Sequence, residues 1–311
     1  MIELKNVTKK FDDFTALDNV SLTIEKGTAY GLLGSNGAGK STILRLLSGI
    51  YIQDSGEVTI DGQKVYDNTD IKKQVFFIND ETVQFSSFTL KTLKDYYKNF
   101  YPNFSEKIFE ELRSKINLPL NKKIGDFSKG MKRQAIVIIA LACCTEYLLM
   151  DEAFDGLDPT MRIIIKQMII DAMIDRKLTT IISSHNLKEI NEVCDTACLI
   201  HKGNVVFSRD LDSLKSNIHK VQLVFPPDEY GNPTVYNREQ LEETGLEILH
   251  YEKVQSVCYI IVKGDIESIN IAFAVKNPVV MDIIPLTLEE IFIYELEVLG
   301  YESNGITEYN K

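Results

Sequence analysis

Residues 34–42 read Gly34-Ser35-Asn36-Gly37-Ala38-Gly39-Lys40-Ser41-Thr42, which fits G-x-x-x-x-G-K-[S/T] without a mismatch. Few stretches restrict a fold so tightly. The three glycines let the backbone curl until successive N–H groups point into one concavity. The flanks supply the matching context. Ala29–Leu33 is a short apolar run that predicts a buried strand, and Ser41–Ser48 predicts a helix with Gly49 where a C-terminal cap belongs. Strand, glycine loop and helix in that order aim a helix N-terminus at bound phosphates. Lys40 would then reach the β- and γ-phosphates of a nucleoside triphosphate, and the Ser41 hydroxyl would ligate Mg²⁺.

Three later runs predict further buried strands, each ending in polar residues. Tyr147–Met150 runs into Asp151 and Glu152, about a hundred residues after the loop. Beside a phosphate site, Asp151 is a candidate to hold Mg²⁺ and Glu152 to orient or deprotonate the attacking water. Leu178–Ser183 leads into Ser184-His185-Asn186, and Val75–Ile78 leads into Asn79-Asp80-Glu81. Carboxyl ends of strands are where open α/β sheets meet ligands, so His185 is expected at the γ-phosphate or the water. His201, His219 and His250 have no comparable context. Ser128 and Gly130 open an apolar helix, and a small polar residue and a glycine there make a weak anion site. Phe11, between two alternating segments, is either core or a ring that stacks on a base.

At 311 residues the chain suits a large domain and a smaller one. A net charge of −11 argues against a nucleic-acid partner and against adhesion to anionic lipid. Five cysteines without a C-x-x-C pair predict reduced thiols, with Cys194 and Cys198 as packed side chains. The N-terminus does not read as a signal peptide. The longest apolar run, Ala135–Cys144, is half of the ~20 residues needed to cross a bilayer. A soluble chain is expected, with any membrane spans supplied by another chain. Residues 82–125, rich in Lys, Tyr, Phe and Asn, continue into the helix after Ser128 and predict a helical insertion over about 82–145. Near residue 215 the nucleotide-domain pattern stops, and 216–311 predict a small α+β appendage with strands near 221–225, 246–251 and 257–262 and helices at 266–275 and from Thr287.

As a set these motifs resemble the ATP-binding subunit of a bacterial ABC transporter, most nearly the single-domain exporter ATPases. The resemblance covers about residues 1–215 and implies an α/β P-loop NTPase core with an N-terminal antiparallel β-subdomain and a helical insertion. Gly34–Ser41 matches Walker A, Leu148–Asp151 with Glu152 matches Walker B and the catalytic glutamate, Gly156-Leu157-Asp158 the D-loop and His185 the switch histidine. Phe127-Ser128-Lys129-Gly130-Met131 stands at the LSGGQ signature, keeping Ser128 and Gly130 but not the second glycine or the glutamine. Phe11 falls at the aromatic that stacks on adenine. Asp80 takes the place of the Q-loop glutamine, which senses Mg²⁺ and couples to the membrane subunit, and as an aspartate it can still ligate Mg²⁺ directly or through water, with a shorter reach. The resemblance implies ATP and Mg²⁺ as cofactors and a head-to-tail homodimer or heterodimer. It implies separate transmembrane permease subunits docked on the 82–125 region, and a cytoplasmic location, peripheral on the inner face of the membrane. A soluble ABC-type ATPase outside transport and a low-turnover regulatory subunit are the alternative readings.

Overall fold

The computed structural model describes residues 1–79, 85–152, 154–230, 232 and 234–298, with 295–298 described by backbone alone. The chain separates into two compact units, Met1–Ser208 and Arg209–Lys311.

The first unit opens with a hairpin, β1 (Ile2–Phe11) and β2 (Phe14–Ile24), then β3 (Ala29–Leu33) and α1 (Lys40–Leu47). Next come β4 (Ser55–Ile60), β5 (Gln63–Lys64), the single turn α2 (Thr69–Lys72) and β6 (Val75–Ile78). Asp61 and Gly62 join β4 to β5 with positive φ at both, the backbone of a type I′ turn. The insertion holds α3 (Leu90–Lys98), α4 (Glu106–Lys115) and α5 (Lys129–Ala142). Then follow β7 (Tyr147–Asp151), α6 (Pro159–Arg176), β8 (Thr179–Ser184), α7 (Leu187–Val193), β9 (Thr196–His201) and β10 (Asn204–Asp210).

These strands make two sheets. The antiparallel one has the order β2-β1-β4-β5, and the larger one the order β10-β9-β3-β8-β7-β6. In the larger sheet β9, β3, β8, β7 and β6 run parallel. Burial on both faces explains why β3 and β8 are continuous buried runs rather than alternating ones. One core lies between the sheets: Ile2, Leu4 and Val20 face α1 through Ile43, Leu44 and Leu47, and α1 faces Leu149 and Ile181 of the parallel sheet. Each such side chain, at most 1% exposed, contributes roughly 1.5–3 kcal/mol relative to exposure. On the opposite face α7 packs on β3 and β8, which only Gly31 permits: a Cβ there would lie 2.4 Å from Ile190 Cγ2.

The parallel register decides the chemistry. Leu33 sits beside Ser184, and Asp151 beside Ser183. The residues that follow β3, β7 and β8 therefore emerge together at one sheet edge.

The second unit holds α8 (Leu211–Asn217), β11 (Ile218–Val224), α9 (Arg238–Glu242), β12 (Glu247–Val254), β13 (Val257–Lys263), α10 (Ile266–Ala274), β14 (Val280–Ile284) and α11 (Leu288–Val298). Its antiparallel sheet has the order β12-β13-β11-β14. Leu241 of α9 and Ile269 and Phe273 of α10 cover the sheet face that carries Val221, Leu223, Ile260 and Val262. Among the described residues no helix is long and apolar enough to cross a membrane. All five cysteines are free thiols.

Candidate functional site

The glycine loop closes on itself. Ala38 N–H donates to Ser35 O at 3.1 Å, and Gly203 N–H donates to Ala38 O at 2.9 Å, tying the loop to the turn after β9. Gly39 caps α1 at φ 115°, and a Cβ there would stand 2.7 Å from Leu17 Cδ2 and 2.9 Å from Ala16 O. Gly37 has positive φ and open space around it, so the loop's outer side remains accessible. Lys40 is 5% exposed, and its ammonium donates to Gly34 O at 2.7 Å and to Ser35 O at 3.2 Å. Burial lowers its pKa, against the pull of Glu152 and Asp151.

Glu152 departs from the sequence expectation in one detail. The strand stops at Asp151, and Glu152 takes a left-handed backbone, φ 47°. Its N–H donates to Ser183 O at 3.3 Å and to Ser183 Oγ at 3.2 Å, which fixes the bend to the neighbouring strand. Its carboxylate lies 3.7 Å from Lys40 Nζ through Oε1 and 3.2 Å from His185 Nδ1 through Oε2. Burial raises the Glu152 pKa, with Lys40 and His185 opposing. Ser183 Oγ donates to Asp151 Oδ1 at 2.5 Å and so orients that carboxylate.

A cavity of about 230 Å³ is lined by Ser35, Asn36, Gly37, Ala38, Gly39, Lys40, Ser41, Thr42, Glu152, Ala16, Phe11 and Phe14. The loop, the carboxylate after β7 and Phe11 thus share one pocket. Phe11 is 38% exposed and meets Tyr51 edge-on at 5.2 Å. Phe14, 61% exposed, was not singled out from the sequence; it pairs with Phe11 across the hairpin, and an unburied phenylalanine is the signal for it. Ser128 and Gly130 do not line this pocket. Ser128 Oγ accepts from Met131 N–H at 3.2 Å as the N-cap of α5. Gly130 lies against the turn after β7, where a Cβ would stand 3.0 Å from Gly156 O. Asp80 lies outside the described residues.

Ser41 and Asp151 offer a hydroxyl and a carboxylate, hard oxygen donors of the kind that suit Mg²⁺. Among the described residues there is no cluster of three or more His, Cys, Asp or Glu that would hold a metal ion unaided. That donor set fits an ion that completes its shell with water and phosphate oxygens.

A model of the ABC transporter family matches residues 17–155. The chain is 31% identical to the ABC transporter ATP-binding protein YtrB of Bacillus subtilis over 293 residues, 94% of this chain and 97% of YtrB. The chain belongs to the ABC transporter ATP-binding proteins. It is accordingly an ATP-binding chain and an ATPase. Among other relatives of this ABC ATPase is the Nod factor export ATP-binding protein I of Rhizobium sp., 33% identical over 65% of this chain and 68% of the relative. The dimeric ATP-binding cassette MJ0796, in a post-hydrolysis state bound to ADP and Pi, shares the fold with a TM-score of 0.62 and 24% identity over 68% of this chain and 99% of that one.

Proposed function

We propose that this ABC ATPase hydrolyses ATP between two head-to-tail copies, or between itself and a second ATPase, and thereby energises an exporter whose membrane spans belong to separate permease subunits. The observation that carries the reading is the shared pocket of loop, Lys40 and Glu152, with His185 hydrogen-bonded to that glutamate.

The contacts support the following roles. Loop N–H groups and Lys40 bind the β- and γ-phosphates, and α1 adds its N-terminal dipole. Phe11 stacks on the adenine. Ser41 and Asp151 would hold Mg²⁺, which when bound would offset negative charge on the phosphate oxygens. Glu152, a stronger base than an exposed glutamate because it is half-buried, orients a water and accepts its proton. The water oxygen bonds to the γ-phosphorus as the bond to the β–γ bridging oxygen breaks, releasing ADP and phosphate. His185 keeps the Glu152 carboxylate aimed and contacts the γ-phosphate.

Ser128 and Gly130 stand away from this pocket, which suits a signature that acts on the nucleotide of a partner copy. Relatives named for transport and export support the exporter direction. The 82–125 region is the proposed permease dock. Two of its aromatics are exposed, Tyr96 by 37% and Phe100 by 56%. The test is phosphate release from Mg-ATP by the purified chain. Glu152→Gln should lower kcat by about 10²–10⁴-fold while nucleotide stays bound. A variant that turns over like the parent would remove Glu152 from the mechanism.

A further inference from the structure

Helices α6 and α7 follow the two catalytic turns, α6 after Glu152 and α7 after His185. Two ion pairs join them. Arg162 Nη1 lies 3.1 Å from Glu189 Oε1, and Lys166, one turn further along α6, bonds Glu192 one turn along α7. Both pairs include a buried member: Glu189 is 5% exposed and Lys166 is 7% exposed. Salt bridges so shielded hold geometry better than surface pairs, because breaking one leaves a buried charge unpaired.

Each pair reaches on to a catalytic turn. The second carboxylate oxygen of Glu189 accepts from Ser184 Oγ at 2.8 Å, and Ser184 Oγ accepts from Asn186 N–H at 3.0 Å. The residues on both sides of His185 are thereby fixed, while Asn186 also caps α7. At the other end Lys166 Nζ stands 5.0 Å over the ring of Phe154, which is fully buried two residues after Glu152. Gly31 lets α7 sit close enough on β3 for this arrangement.

We infer that Arg162–Glu189–Ser184 and Glu192–Lys166–Phe154 form a two-rung positioning ladder that sets the 3.2 Å contact between His185 and Glu152. None of these six residues lines the loop pocket. They act through His185 and Glu152, so the inference rests on the catalytic reading above. Leu157 N–H donates to Phe154 O at 3.4 Å, so the turn against which Gly130 packs adjoins the second rung.

The test is a double-mutant cycle on the full chain, reading kcat, KM and nucleotide affinity. Ser184→Ala should lower kcat about tenfold and leave nucleotide affinity within about twofold. In a His185→Ala background the same substitution should have no further effect, because the group it positions is gone. Ser184→Ala with parental kcat overturns the ladder, and so does an equal loss with and without His185, which is what a merely structural defect gives. His185→Ala with parental kcat overturns the catalytic reading itself, a separate outcome. Should Ser184→Ala fail to fold, Glu192→Ala carries the test, since that carboxylate is 57% exposed. It should give a smaller kcat loss that disappears in a Glu152→Gln background, because its rung ends on the turn after Glu152; parental kcat, or an equal loss with and without Glu152, would overturn the ladder.

Discussion

Lys40 carries its charge in the wall of the loop, where Gly34 O and Ser35 O replace the water it has lost. A phosphate oxygen has to compete only with two neutral carbonyls and with Glu152 at 3.7 Å. Charge-assisted hydrogen bonds contribute about 1.5–3 kcal/mol, so Lys40→Ala should weaken Mg-ATP binding about 10- to 100-fold. Equilibrium titration with a fluorescent ATP analogue measures this, and parental affinity would show that the backbone nest suffices. Most of this pocket was legible at the residue level, because a glycine loop is local: spacing alone defines its donors. Glu152 and His185 were legible as carboxyl-end residues, but their contact was not. It depends on Leu33 standing beside Ser184 and Asp151 beside Ser183, a register that no local pattern encodes. Phe14 escaped notice because only the Asp12-Asp13 turn brings it opposite Phe11.

The helices of the insertion depend on their ends. Ser128 caps α5 through a single side-chain hydrogen bond at an exposed position. Ser128→Ala should therefore lower stability without nucleotide by about 1 kcal/mol, read by chemical denaturation. Glu106, in the first turn of α4, binds Lys94 at 2.8 Å and Lys98 at 2.9 Å, both from α3. These bonds hold its carboxyl below the usual glutamate range. A carboxylate with a depressed folded pKa stabilises above its unfolded pKa and stops doing so as pH falls through the folded one. Glu106→Gln should thus cost about 0.5 kcal/mol at neutral pH, and the difference from the parent should vanish in acid. A difference independent of pH would mean the ion pairs contribute nothing. Elements with a continuous apolar run and clear punctuation, such as β3 and β8, were legible. The edge strand β14 was not: Val280-Met281-Asp282-Ile283-Ile284 lacks alternation and takes its conformation from pairing with β11. β9 and β10 were not read from the sequence either: their place, β9 beside β3 and β10 at the edge beside β9, is set by the sheet.

At the scale of the molecule, the head-to-tail arrangement proposed above makes nucleotide part of the assembly. Glu152→Gln with Mg-ATP should elute as a dimer in size-exclusion chromatography and return to monomer when ATP is washed out. A variant that stays monomeric while binding nucleotide would sink the head-to-tail arrangement. The position of Ser128, outside the pocket that Lys40 lines, has a further consequence for a cell that carries a damaged copy. A chain broken at Ser128 still owns an intact loop, and a chain broken at Lys40 still owns an intact signature. Mixed, two inactive proteins should recover phosphate release, because each supplies what the other lacks. By the same reasoning, a loop-dead copy paired with an undamaged one still leaves one complete site, so the defect should be masked by the sound copy and inherited as recessive.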